Sequence, residues 1–212
     1  MSIGNEVKKQ IHREITIRAL GGYFGVDALE TVVIANLGQD ALRYQFGHDH
    51  FHYDSNSFTA GDAYCEHLRL AIAAALGHGQ FQQARESLGR LTHTLQDLYA
   101  HSNYVPLWRQ KYPDSSPEDI DPEVEIIRQD SGFHSGKLYY PLEILSFIDT
   151  LKKYVMPLLP RDSHAWMNID DPTRPDFDYA FSAAIKRTRI EYLRIIEKLP
   201  SQEVTYLTGV AQ

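Results

Sequence analysis

Residues 88–104, LGRLTHTLQDLYAHSNY, set two histidines and an aspartate at positions that a single helix face must share. His93, Asp97 and His101 stand at i, i+4 and i+8, and side chains four apart lie above one another on an α-helix. The stretch has no proline, and its only glycine, Gly89, precedes the triplet. Leu88, Leu91, Leu95 and Leu98 add an apolar stripe at helical spacing, so the column runs beside a buried face. Imidazole and carboxylate are ligands for zinc and similar divalent ions, and histidines at i and i+4 are one way a helix holds zinc. The competing reading is a solvated polar stripe, or histidines satisfied by hydrogen bonds in the core. The carboxylate between the pair, and further histidines elsewhere in the chain, favour the metal.

The rest of the chain reads as helices too. Residues 6–20 form an amphipathic pattern with Ile11, Ile15, Ala19 and Leu20 inward, His12 at its border, and Gly21-Gly22 as the stop. A second helix is expected over Asp27 to about Leu42, with Asp27 as its N-cap and Glu30 three residues on. Asp40 falls on its apolar register, where a carboxylate is costly unless paired or metal-bound. Residues 46–58 read as a loop in which His48, His50 and His52 alternate. Further helices are expected over 59–76, 80–102, 104–112, 141–156 and 177–199, with residues 113–138 as a long acidic, proline-bearing connection. Strand-type alternation is scarce, and no repeat or linker divides the chain. The expectation is therefore an all-α, single-domain multi-helix bundle over residues 1–212.

Composition narrows the function. A formal charge of −7 argues against a surface that holds nucleic acid in bulk by its backbone. It leaves open a phosphoester held through bound cations, which supply the local positive charge. One cysteine, Cys65, excludes an intramolecular disulfide. No apolar run before a small-residue cleavage site marks a secretory signal in the first residues, so a cytoplasmic location is expected. The longest apolar stretch, around Leu70–Leu76, is too short to span a bilayer. There is no Gly-x-Ser-x-Gly, P-loop or Gly-rich dinucleotide loop. What remains is His and Asp dispersed over several helices, which suits a metal cluster inside a bundle.

Several segments carry a family resemblance. His93-Thr-Leu-Gln-Asp97-Leu-Tyr-Ala-His101-Ser-Asn-Tyr resembles the central motif of Het-C-like proteins, and is similar to the corresponding helix of zinc-dependent phospholipase C and the S1/P1 nucleases. Ile11-His12-Arg-Glu-Ile-Thr, Ala35-Asn36-Leu-Gly-Gln-Asp40, Phe51-His52-Tyr53-Asp54 and His164-Ala-Trp-Met-Asn168-Ile-Asp170-Asp171-Pro172 resemble further elements of those proteins in the same order.

The resemblance implies a bundle of the phospholipase C/P1 nuclease type around two or three zinc ions, and a phosphoric ester hydrolase in which metal-bound water attacks phosphorus. Its substrate would be a phospholipid or a nucleotide. Asp97 would bridge two ions, His93 and His52 would bind one, and His12 the other. Asp40 would touch the first ion and act as the catalytic residue that orients the water. His101 would bind a third ion together with His164 and Asp170 or Asp171, or with the alternative pair His134 and Glu143. Asp54 would orient a ligand imidazole. The rival expectation is a non-catalytic, metal-stabilised helical interaction module. A di-iron carboxylate bundle would need Glu-x-x-His pairs on two helices, which the chain lacks.

Overall fold

The computed structural model describes residues 3–44 and 47–210; within these, nothing is stated of the side chains of residues 3–8, 42 and 149. The described residues form α1 (Ile3–Leu20), α2 (Val26–Gly38), α3 (Phe58–Gly77), α4 (Phe81–His101), α5 (Tyr104–Lys111), α6 (Glu125–Arg128), α7 (Leu142–Ser146), α8 (Asp149–Val155), α9 (His164–Met167), α10 (Phe177–Glu197) and α11 (Ser201–Thr208). No β-strand occurs among them, so the all-α expectation is met at the level of a multi-helix fold.

α4 is the axis. It packs against α2, α3 and α10, while α1 lies against α2 and α10. From Leu91 to His101 every residue is buried. A surface helix would bury one stripe only. Here Leu88, Leu91, Leu95 and Leu98 enter the main apolar core with Ile11 and Ile15 of α1, Val32 of α2, Ile72 of α3 and Tyr192 of α10. The polar face, with Thr92, His93, Gln96 and Asp97, is equally enclosed. Buried polar groups must find partners, so this face is an interior site rather than a solvated stripe.

Gly89 makes the tight crossing of α2 over α4 possible. A Cβ there would lie 2.7 Å from Ala35 Cβ and 2.8 Å from the Asn36 amide nitrogen, and closer still to the Val32 carbonyl. A second anchor between helices is ionic. Glu191 of α10 is fully buried, with Arg187 Nη2 at 2.7 Å and Arg69 of α3 donating to it from Nε and Nη2. A smaller apolar cluster, Val155, Leu159 and Ala165, with Tyr139 and Trp166 against it, supports α9.

Three expectations need correction. α2 begins after Gly25, which holds the N-cap position, so Asp27 sits in the first turn instead. It ends at Gly38, leaving Asp40 in the turn beyond it rather than on the helix. The helix expected over 141–156 is broken at Phe147–Ile148 into α7 and α8. α11 was not expected; it follows Pro200 and stops at Gly209, whose φ is +69°.

Candidate metal centre

Asp97 is the junction of the site, and its two carboxylate oxygens face different neighbours. Oδ2 lies 2.8 Å from His52 Nδ1 and 3.0 Å from His93 Nε2. Oδ1 lies 3.3 Å from His12 Nε2. His93 Nε2 is also 3.7 Å from Asp40 Oδ1 and 3.2 Å from His52 Nδ1, and the His12 and His93 rings stack at 4.5 Å. These residues arrive from α1 (His12), the turn after α2 (Asp40), the loop before α3 (His52) and α4 (His93, Asp97). Two overlapping sets of donors result: His12, Asp40 and His93, and His52, His93 and Asp97. In each set one ligand atom per residue lies within 4.8 Å of the others.

A third set, Asp54, His101 and His164, adjoins them. Asp54 Oδ1 is 2.8 Å from His164 Nδ1 and 3.3 Å from His101 Nδ1; His101 Nε2 is 3.3 Å from Asp170 Oδ2. The Asn168 amide donates toward His164 Nε2 at 3.1 Å, because its Oδ1 already accepts from the Asp170 amide. Both His164 nitrogens therefore have partners within the protein.

The loop that presents His52 and Asp54 is unusual. Tyr53, Ser55 and Asn56 all have positive φ, at 55°, 52° and 59°. Each such non-glycine residue costs on the order of 1 kcal/mol and persists only where surroundings hold it. Here Ser135 Oγ accepts from the Asn56 amide, Asn56 Oδ1 accepts from the Ser135 amide, and the Ser55 amide donates to the Gly136 carbonyl. Tyr53 is buried with its hydroxyl on Asp62 and its ring where a Gly61 Cβ would stand. Gly136 ties the same loop to the ends of α4 and α9. Its amide donates to the His101 carbonyl, and a Cβ on it would lie 2.6 Å from His164 Cα.

The electrostatics favour positive charge. Burial alone would push the Asp97 carboxyl up, but His93 and His101 pull it well below the usual carboxylate range. Asp54 is lowered in the same way, its burial outweighed by His164 and His101. Burial would lower His93 and His101, yet Asp97, with Asp40 for the former and Asp54 for the latter, raises both, His101 well above the ordinary imidazole value. Protons and divalent cations are alternatives at such a cluster.

One atom of the cluster stands open to a cation. Asp97 Oδ1 is buried without a hydrogen-bond partner and faces His12 Nε2 at 3.3 Å, and unsatisfied buried polar atoms are rare in folded proteins. His52 Nε2 and His93 Nδ1 are unpartnered too, but they are the ring nitrogens opposite those that face Asp97.

Among the expected ligands, His12, Asp40, His52, His93, Asp97, His101 and His164 come together. His134 does not: it is exposed on the loop before α7, with Nδ1 beside the Gly132 carbonyl and the Asn103 amide. Glu143 is buried, but it accepts from the amides of Ala165 and Tyr139, so it supports α9 from beneath. Asp171 caps its own turn through Thr173. Asp54, expected only to orient a ligand, stands among the donors themselves.

The sequence model of the VWA7 N-terminal domain family matches residues 18–125, just over half of the chain. The chain belongs to the VWA7 N-terminal domain family. The matched stretch carries Asp40, His52, Asp54, His93, Asp97 and His101, whereas His12, His164 and Asp170 lie outside it. Over 88 residues the chain is 38% identical to von Willebrand factor A domain-containing protein 7 of Rattus norvegicus, a match that spans 41% of this chain and 10% of that protein. No solved structure matches.

Membership of the VWA7 N-terminal domain family overturns the resemblance to zinc-dependent phospholipase C, the S1/P1 nucleases and Het-C-like proteins. Three of the segments that carried it, Ala35–Asp40, Phe51–Asp54 and His93–Tyr104, lie inside the VWA7 match. The reason is physical. An i, i+4, i+8 column is what any helix uses to line up three side chains, so its spacing identifies a geometry and not a lineage. The labels hydrolase, zinc-dependent, phospholipase C-like, P1 nuclease-like and Het-C-like therefore cannot be taken from kinship.

Proposed function

We propose that this domain is a divalent-cation centre built on Asp97, and that its best-supported activity is hydrolysis of a phosphoester. The observation that carries this is the double-sided carboxylate. One Asp97 oxygen faces His52 and His93, and the other faces His12, so two neighbouring cation positions would share one bridging group. Two adjacent cations bind phosphoester oxygens and lower the pKa of a coordinated water. This reading rests on the site's own chemistry and not on family.

The protein's groups would divide the work as follows. His12, His52, His93 and Asp97 hold the cations. The Asp40 side chain is 19% exposed against 0% for His93 and 1% for Asp97, so it lies at the outward edge, where its carboxylate can accept a proton from water. The Asp54, His101 and His164 set is a weaker cation site, because it has no buried, unpartnered donor to match Asp97 Oδ1.

A second reading has its own support. The ligands other than Asp40 are nearly all enclosed and join separate helices, which is what a purely structural, metal-stabilised interaction module needs. The test is turnover of an aryl phosphodiester, a phosphatidylcholine vesicle and a dinucleotide, each with added zinc, cobalt or manganese and each with chelator. The hydrolytic reading expects chelator-sensitive turnover that Asp40→Asn abolishes while the bound metal is retained. Metal bound in full with no turnover on any ester would leave the structural module.

A further inference from the structure

We infer that Gln96 is the positioning residue that selects the ring tautomer of His12, and so makes Nε2 the cation-binding atom of that ligand; the ligand half of this inference rests on the metal reading above. The argument is a chain of donors that begins at a backbone carbonyl. The Thr16 hydroxyl donates its only proton to the His12 carbonyl at 2.8 Å. Toward Gln96, at 3.1 Å, Thr16 Oγ1 must therefore accept, so the facing atom is the Gln96 amide nitrogen. The same nitrogen reaches Thr188 Oγ1 of α10 at 3.2 Å.

The opposite end of the amide is fixed independently. Thr92 donates to the Gly89 carbonyl at 2.9 Å, so it accepts from Asn36 Nδ2 at 3.1 Å, and Asn36 Nδ2 also donates to Gln96 Oε1 at 3.3 Å. Two chains, each ending on a helix carbonyl, thus agree that Gln96 Oε1 points at His12. Its distance to His12 Nδ1 is 2.8 Å. An acceptor there requires the proton on Nδ1. The lone pair is then on Nε2, which faces Asp97 Oδ1 at 3.3 Å, and that oxygen has no hydrogen-bond partner. That holds for the neutral ring, and a lone pair opposed to a carboxylate oxygen in a buried site is favourable only with a positive charge between them, a bound cation or a second ring proton.

All of these residues are buried: His12 2%, Thr16 0%, Asn36 0%, Gln96 1% and Thr188 0%. Bulk solvent is therefore excluded from these groups, and the network sets the tautomer. Partners that fix the second nitrogen of a ligand histidine change metal affinity by about 10–100-fold.

The experiment uses the full chain labelled with 15N-histidine. In cation-free protein, two-bond 1H–15N correlations report which His12 nitrogen carries the proton. Wild type should show Nδ1–H, and so should Gln96→Glu, whose carboxylate still accepts. Gln96→Leu should lose that preference, and its affinity for cobalt or zinc, measured by competition with a chromophoric chelator, should fall by about 10–100-fold while Gln96→Glu keeps its affinity. Thr16→Val, which touches neither the ring nor the amide oxygen, should weaken the preference if Gln96 acts through its orientation. Nε2–H without Nδ1–H in the wild-type cation-free protein would overturn the inference, as would folded Gln96→Leu with wild-type affinity. Failure of the wild type to bind any cation would instead remove the metal reading, because the tautomer is read without metal.

Discussion

Replacing Gly89 with alanine tests how closely α2 must cross α4. In an ordinary helix interior this change is stabilising by about 0.5–1 kcal/mol. Here the added Cβ would stand 2.7 Å from Ala35 Cβ and 2.8 Å from the Asn36 nitrogen. Comfortable carbon contacts lie near 3.5–4.0 Å, so α2 must retreat by roughly 1 Å. Such overpacking costs about 1–3 kcal/mol. The retreat also stretches Asn36 Nδ2 from 3.1 Å to Thr92 and from 3.3 Å to Gln96, beyond hydrogen-bonding range. Leaving buried polar groups without partners adds about 1–3 kcal/mol. Set against the propensity gain, the net loss should be about 1–5 kcal/mol, or roughly 2–4 °C of Tm per kcal/mol for a chain of this size. Urea unfolding of Gly89→Ala beside Gly77→Ala measures it, since a Cβ at Gly77 meets nothing within 4 Å. If both variants are equally neutral or stabilised, the close crossing is wrong, and with it the placement of Asn36 and Asp40 over α4.

Two further outcomes follow from particular contacts. Gly136→Ala should cost about 1–3 kcal/mol, because its Cβ would meet His164 Cα at 2.6 Å and push α9 off the Asp54 set; an unchanged melting curve would contradict that packing. Glu191 is buried, which would raise its carboxyl, but the hydrogen bond from Arg69 and the charge of Arg187 hold it below the ordinary value. A depressed folded pKa gives stability that is complete above the unfolded pKa near 4.3 and is lost as pH falls through the folded one. Glu191→Gln should therefore lower stability at pH 7 by about 3 kcal/mol and flatten the acid side of the stability curve; parallel curves for variant and wild type would refute this.

The sequence disclosed what local periodicity controls. The apolar faces of α1, α3, α4 and α10 and the column on α4 follow from spacings of three and four. The enclosure of the polar face of α4 does not, since Thr92, His93, Gln96 and Asp97 look solvated until α1, α2 and α10 close over them. The donor role of Asp54 is hidden in the sequence for a related reason. Its position depends on positive φ at Tyr53, Ser55 and Asn56, which hold through Ser135 and Gly136, some eighty residues away. The break at Phe147–Ile148 has no proline or glycine to announce it. α11 does carry local signals, Pro200 before it and Gly209 after it. The family could not be read from the His and Asp spacing, because helix geometry imposes that spacing on unrelated chains.

The claim that Asp97 joins two cation positions is tested most directly by counting ions. Apo protein titrated with zinc or cobalt in a calorimeter, and checked by elemental analysis after gel filtration, should bind two equivalents per chain tightly, with any further ion bound more weakly at the Asp54 set. Asp97→Ala should lose both tight equivalents while remaining folded. Fewer than one equivalent in the wild type under metal-replete conditions, or undiminished binding by Asp97→Ala, would contradict the account.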